Sequence, residues 1–96
     1  MKVVIRRYSG PGASRLMDVL EKRAADVKGV IGSVEGVVNY TLARTDDGGF
    51  SVTLCEDQAG IDESMQKAKE WIAENAGEVG AVAPEVTVGD VVIQLK

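Results

Sequence analysis

Two helical stripes set among four β-rich runs constrain this chain more than any other feature. Leu16, Leu20, Ala24, Val27 and Ile31 recur at spacings of 4, 4, 3 and 4, and Ile61, Met65, Ala68, Ile72 and Ala76 at 4, 3, 4 and 4. Each spacing places its residues on one face of an α-helix. Around the stripes lie KVVIRRY (2–8), VVNYTLAR (37–44), FSVTLCE (50–56) and VTVGDVVIQL (86–95), all rich in β-branched or aromatic residues and therefore predicted as strands. The punctuation between them agrees. SGPG closes the first strand, and Pro11 suits the first turn of the helix that follows. The glycines of KGVIGSVEG predict that this helix ends between Lys28 and Gly32. TDDGG joins the second and third strands as a hairpin. Asp57 is placed to cap the second helix, with Asp62 as the alternative after an irregular first turn. GEVGAVAPE reads as a loop, and Gly89-Asp90 marks a bulge or bend in the last strand.

The order is therefore β-α-β-β-α-β, an α+β arrangement filling one domain over residues 1–96. Two interleaved strand–helix–strand units give the ferredoxin-like sandwich: an antiparallel sheet of order 4-1-3-2 with both helices on one face. That leaves the other face bare. A sheet face turned to water alternates apolar with polar residues, yet Val3-Val4-Ile5 and Val91-Val92-Ile93 are unbroken apolar runs. Such a face predicts a two-fold partner, a homodimer closed sheet against sheet.

Composition narrows the function. Eleven basic residues stand against fifteen acidic ones, a net charge of −4, with no dense basic cluster beyond Arg6-Arg7. Nucleic acid needs a basic face that releases counterions, and anionic membrane needs the same; neither is expected as a partner. No apolar run reaches the roughly 20 residues of a membrane span, and MKVVIRRYSG is too short and strand-like for a signal peptide. The single cysteine allows no internal disulfide, and the absence of histidine removes the commonest metal ligand and general base. A cytoplasmic protein with neither metal nor cofactor is the expectation.

The strand order, IRRYSG, and above all FSVTLCEDQAGIDESMQKAKEWIAEN resemble the dimeric α+β barrel superfamily, in particular its small bacterial members of unknown function. The resemblance rests on Glu56-Asp57, Ala59-Gly60, Ser64, and Ala68 to Trp71, and is close over residues 36 to 75. That superfamily spans antibiotic-biosynthesis and haem-degrading monooxygenases, muconolactone isomerases, chlorite dismutase-like proteins and stress-responsive barrels, so kinship of fold does not fix function. Haem-degrading members use an axial histidine, which this chain lacks. The quinol-type monooxygenases need neither metal nor flavin. They hold a phenol in a pocket of asparagine, tryptophan, tyrosine and arginine between sheet and helices. The corresponding residue types here are Trp71, Asn75, Tyr40, Asn39, Arg6 and Tyr8. The resemblance thus implies a small-molecule-binding or stress-associated dimeric module, with a small aromatic ligand. The alternative is a cofactor-independent monooxygenase of an aromatic phenol. It requires a connected cavity holding Trp71, Tyr40, Asn39 and an arginine, with room for a ring.

The remaining candidates have plainer readings. Cys55 is followed by two acids, which favour the protonated thiol, and has no histidine base; it reads as a small hydrophobe. Glu56 and Asp57 are adjacent on a strand end, point to opposite faces, and do not form a carboxylate pair. Trp71 flanks the second stripe and reads first as packing. Arg6, Arg7 and Arg44 read as solvated strand-edge charges. Arg6 shares a face with Tyr8, and if that face is closed, Arg6 must meet an acid or an anionic ligand.

Overall fold

The computed structural model describes residues 1–95. Strand β1 (Lys2–Ser9) leads into helices α1 (Ala13–Lys22) and α2 (Ala24–Gly32). Strands β2 (Val37–Thr45) and β3 (Gly48–Cys55) follow, then helix α3 (Gln58–Ala76), a 3₁₀ turn at Gly77–Val79, and β4 (Glu85–Asp90). The four strands form one sheet, β2-β3-β1-β4, with every neighbouring pair antiparallel. This is the expected 4-1-3-2 order read from the other edge. The hairpin turns through Asp46 and Asp47, with Thr45 opposite Gly48.

Three local expectations are corrected. The first helix is two: the backbone leaves helical geometry at Arg23 (φ −106°, ψ 29°). The break re-aims the apolar stripe. Val27 and Ile31 stay buried while Ala24, which a straight helix would bury, is exposed. Arg23 is itself engaged, its guanidinium 5.6 Å from the centroid of the Trp71 ring and bonded to Asp26 at 2.7 Å. Pro11 does not sit in the first helical turn. It lies between Gly10 and Gly12, both in the left-handed region (φ 79° and 82°), and α1 starts after them. A Cβ at Gly12 would come within 2.9 Å of the Ala81 backbone, so this turn has no room for a side chain. Third, β4 stops at Asp90, and residues 91–95, expected as its continuation, carry no strand. Val91 N–H donates to the Met1 carbonyl (3.0 Å), after which the chain leaves the ladder. In addition, β2 carries a bulge between Val37 and Asn39, which turns Val37 to the same side as Tyr40 and Leu42.

The helices cover one face of the sheet. Its main core joins Tyr8 with Leu16, Met17 and Leu20 of α1, Val27 and Ile31 of α2, and Trp71 and Ala76 of α3. A smaller cluster joins Val4, Cys55 and Ile61. Glycine permits the close contact at two places. A Cβ on Gly49 would run into Met17 Sδ, and one on Gly60 would meet Cys55 Cβ at 3.1 Å. Gly60 thereby lets the first turn of α3 settle onto the end of β3. Asp57 caps that helix, accepting the Gly60 N–H at 3.1 Å.

Candidate functional site

Three polar side chains from the sheet converge under the helices. Arg6 and Tyr8 alternate with Ile5 and Arg7 on β1, so both point to the helix side, and the register sets Arg6 opposite Ser51 of β3. Arg6 is only 4% exposed. Its Nε donates to Ser51 Oγ at 3.1 Å, but its Nη1 is buried without a hydrogen-bond partner. Its solvated reading is therefore corrected: strand alternation carries it beneath α3. Arg7 does behave as a surface charge, 3.4 Å from Asp47, and Arg44 bonds Asp18 at 2.9 Å and Glu21 at 3.2 Å. No carboxylate within salt-bridge distance answers Arg6 among the described residues.

Tyr40 on β2 and Trp71 on α3 complete the cluster. With Arg6, Tyr8, Ser51, Val27, Ile31 and Ile72 they line a partly open cavity of about 20 Å³, the size of a single water. Burial raises the pKa of both Tyr8 and Tyr40, and the Arg6 cation opposes the rise in each. Both phenols stay neutral across the physiological range. The Trp71 Nε1–H is buried and, like Arg6 Nη1, finds no acceptor. The Thr53 hydroxyl is a third buried group without a partner.

The cavity adjoins a larger cleft. Arg6, Tyr8, Ala68 and Ile72 belong to the walls of both. The cleft, about 470 Å³, lies between α3 and the segment running into β4, with Met65, Val82 and Val86 among its lining. Arg6 and Lys69 are the charged residues on its walls, and no acid is among them. Val82 and Val86 leave 55% and 45% of their surface exposed at its edge. The stripe on α3 explains the opening. Ile61, Ser64, Trp71 and Ala76 are buried, while Met65, Ala68 and Ile72 of the predicted stripe are half-covered and face the cleft.

Of the six residues singled out from the sequence, four meet: Arg6, Tyr8, Tyr40 and Trp71 line one cavity. Asn75 lies a turn beyond Trp71 and donates to its carbonyl at 2.9 Å, a bond within the helix. Asn39 is on the opposite face of the sheet, beside Val3, Thr41, Val52 and Leu54. Ordinary strand alternation, with Asn39 opposite Leu54 and Tyr40 opposite Thr53, separates it from Tyr40's environment. Ser51 was missed. Only strand register places its hydroxyl under Arg6, and nothing local in FSVTLCE distinguishes it. Cys55 is fully buried, and its pKa is raised by desolvation, against a hydrogen bond from Ser64 and with the repulsion of Asp57 added. Among the described residues no group of histidine, cysteine, aspartate or glutamate side chains has metal-binding geometry, and no helix is long and apolar enough to cross a membrane.

The other face carries a second opening, of about 350 Å³, between Val3, Asn39, Thr41, Val52 and Leu54 of the sheet and Val91 to Gln94 of the tail. Val92, Ile93 and Leu95 of that tail are 90%, 87% and 91% exposed.

The architecture, a four-stranded antiparallel sheet with its helices packed on one face, is the ferredoxin-like fold of several solved structures of low sequence identity. A protein of unknown function from Nitrosomonas europaea, NE2512, superposes with a TM-score of 0.71 at 13% identity, over 99% of this chain and 91% of its own. SnoaB, a cofactor-independent oxygenase from Streptomyces nogalater, gives 0.67 at 16% identity, over 98% and 95%. A MhuD variant bound to manganese protoporphyrin IX gives 0.68 at 19% identity, over 99% and 97%. No protein-family model matches the sequence, and no curated protein matches it by sequence. The likeness is one of fold.

Proposed function

We propose that the protein is a homodimeric, cytoplasmic, one-domain module that binds a small molecule in the cleft between α3 and β4, with Arg6, Tyr8, Tyr40 and Trp71 at its inner end. The carrying observation is the pairing of that apolar cleft with buried donors left open beside it: Arg6 Nη1 and Trp71 Nε1. Its volume of about 470 Å³ lies within the range of small-molecule sites, roughly 300–1,000 Å³. Buried polar atoms without partners are rare because each costs about 1–3 kcal/mol, and a protein keeps them where something else supplies the partner. The dimer reading rests on Ile5, Val38 and the tail 92–95, a large exposed apolar surface on the face that the helices leave bare. The cytoplasmic setting rests on the single free cysteine.

The test is a ligand screen by thermal shift, followed by titration of Trp71 fluorescence, since Trp71 is the chain's sole tryptophan. A ligand that raises the melting temperature and changes that emission supports the pocket; a blank screen defeats it. The oxygenase alternative needs an aromatic ring between Tyr40 and Trp71, where the space they share is water-sized. Oxygen consumption with a panel of quinols decides it, and sustained uptake would restore it.

A further inference from the structure

We infer that the ligand of this cleft is an anion: an apolar monocarboxylic acid whose carboxylate lies against Arg6 and whose hydrocarbon or aryl body lies along Ala68, Ile72, Val82 and Val86. This inference rests on the pocket reading above and adds the charge of what fills it. Three observations carry it. Arg6 is nine-tenths buried or more and has no acid within salt-bridge distance among the described residues; Ser51 and Tyr40 hydrogen-bond it, yet its Nη1 is left without a partner. The adjoining space is the size of a water, and a water supplies an acceptor to Nη1 but no countercharge. Lastly, the walls of cavity and cleft carry Arg6 and Lys69 and not one carboxylate, in a chain whose acids outnumber its bases fifteen to eleven.

The donors around that space form one set. Arg6 Nη1 and Trp71 Nε1 are donors only. Tyr8 and Tyr40 are held neutral by burial, and each retains a hydroxyl proton. A site of donors with a fixed cation selects an acceptor-only group, which an ionised carboxylate is and an amide or alcohol is not. The apolar walls set the rest of the ligand: Met65, Ala68, Ile72, Val82 and Val86 offer an aliphatic or aromatic body nothing to hydrogen-bond. Lys69 adds positive charge to the cleft wall.

Matched pairs of ligands test this on the unaltered protein. Phenylacetate and octanoate are titrated beside phenylacetamide and octanamide, following the single indole N–H resonance of Trp71 by NMR. The expectation is that both acids shift that resonance and bind about tenfold or more tightly than their amides, as a charge-assisted pair to a desolvated cation does. Arg6→Met abolishes the preference, and Lys69→Gln weakens the acids by a few-fold. Equal binding of acids and amides overturns the anionic class and leaves the pocket standing. Acid binding that survives Arg6→Met undiminished also overturns it, because the anion then sits elsewhere. If neither series binds while the general screen finds ligands, the inference fails alone; if that screen is blank too, both readings fail.

Discussion

The two faces of one sheet meet water differently, although their sequences are similarly apolar. On the helix side, Val4, Arg6, Tyr8, Ser51, Thr53 and Cys55 are all buried, so even an arginine and three hydroxyl-bearing side chains are withdrawn from solvent. On the other side Ile5, three residues of the tail and Val38 are exposed, and the apolar surface exceeds what a lone chain can cover. Polarity of the side chain does not decide which face it occupies; strand alternation and helix placement do. The covered face holds more polarity than it can satisfy by itself, and the bare face holds more apolar surface than it can hide. Each deficit defines a partner, a ligand for one and a second copy for the other.

The sharpest way to break this comparison is on the bare face. Val52→Asp puts a charge at the middle of it, and in a sheet-to-sheet dimer it buries an uncompensated charge at a cost on the order of 3–5 kcal/mol. Sedimentation equilibrium is expected to show the mass fall from two chains to one. An unchanged mass, whether of one chain or two, removes the dimer through this face. The corresponding change on the covered face has the opposite sign. Arg6→Met replaces a buried cation lacking a countercharge by an apolar side chain of similar length, and is expected to raise stability by about 1–4 kcal/mol in chemical denaturation. A loss of stability would mean that Arg6 is satisfied in the resting protein and would weaken the contrast.

Alkaline pH sharpens the comparison further. Tyr8 and Tyr40 are raised above 10.0 by burial on the covered face. Below about pH 10 both states carry neutral phenols and the two groups contribute nothing pH-dependent; above it the unfolded chain ionises while the folded one resists, so stability falls as pH rises. The fall steepens in Arg6→Met, where the opposing cation is gone. Denaturation midpoints between pH 8 and 11 measure it, and a flat profile would place both phenols in contact with water. The smallest effect belongs to the joint between β3 and α3. Asp57→Ala removes the acceptor for Gly60 N–H and is expected to cost about 1 kcal/mol in equilibrium unfolding, without altering ligand affinity.

Much of this was legible in the residues. Hydrophobic period located all four strands and the helical segments, the Asp-Gly hairpin set β2 against β3, and Asp57 was identified as a cap because aspartate beside a helical stripe has few other uses. The alternation of β1 likewise put Arg6 and Tyr8 on one face. Where reading by pattern failed, a long-range contact had overridden a local signal. The stripe over residues 16–31 is continuous, yet the helix breaks at Arg23, where the side chain lies over Trp71. Val37 and Tyr40 would point to opposite faces of a regular strand, and a one-residue bulge between Val37 and Asn39 puts them on the same one. Ser51 acquires its importance from register alone.

The sequence by itself determined the order of the strands, the sheet topology, the surplus of apolar surface and the net acidic charge, because each follows from period, composition or charge along the chain. Whether Arg6 is a surface charge or a buried one was decided only in three dimensions. Its burial depends on α3, more than fifty residues away, lying over β1, and on Ser51 arriving opposite it across the ladder. The same packing left a water-sized space beside the guanidinium and no acid to answer it. A charge's environment is set by everything that packs around it, and a linear sequence records only the side chain.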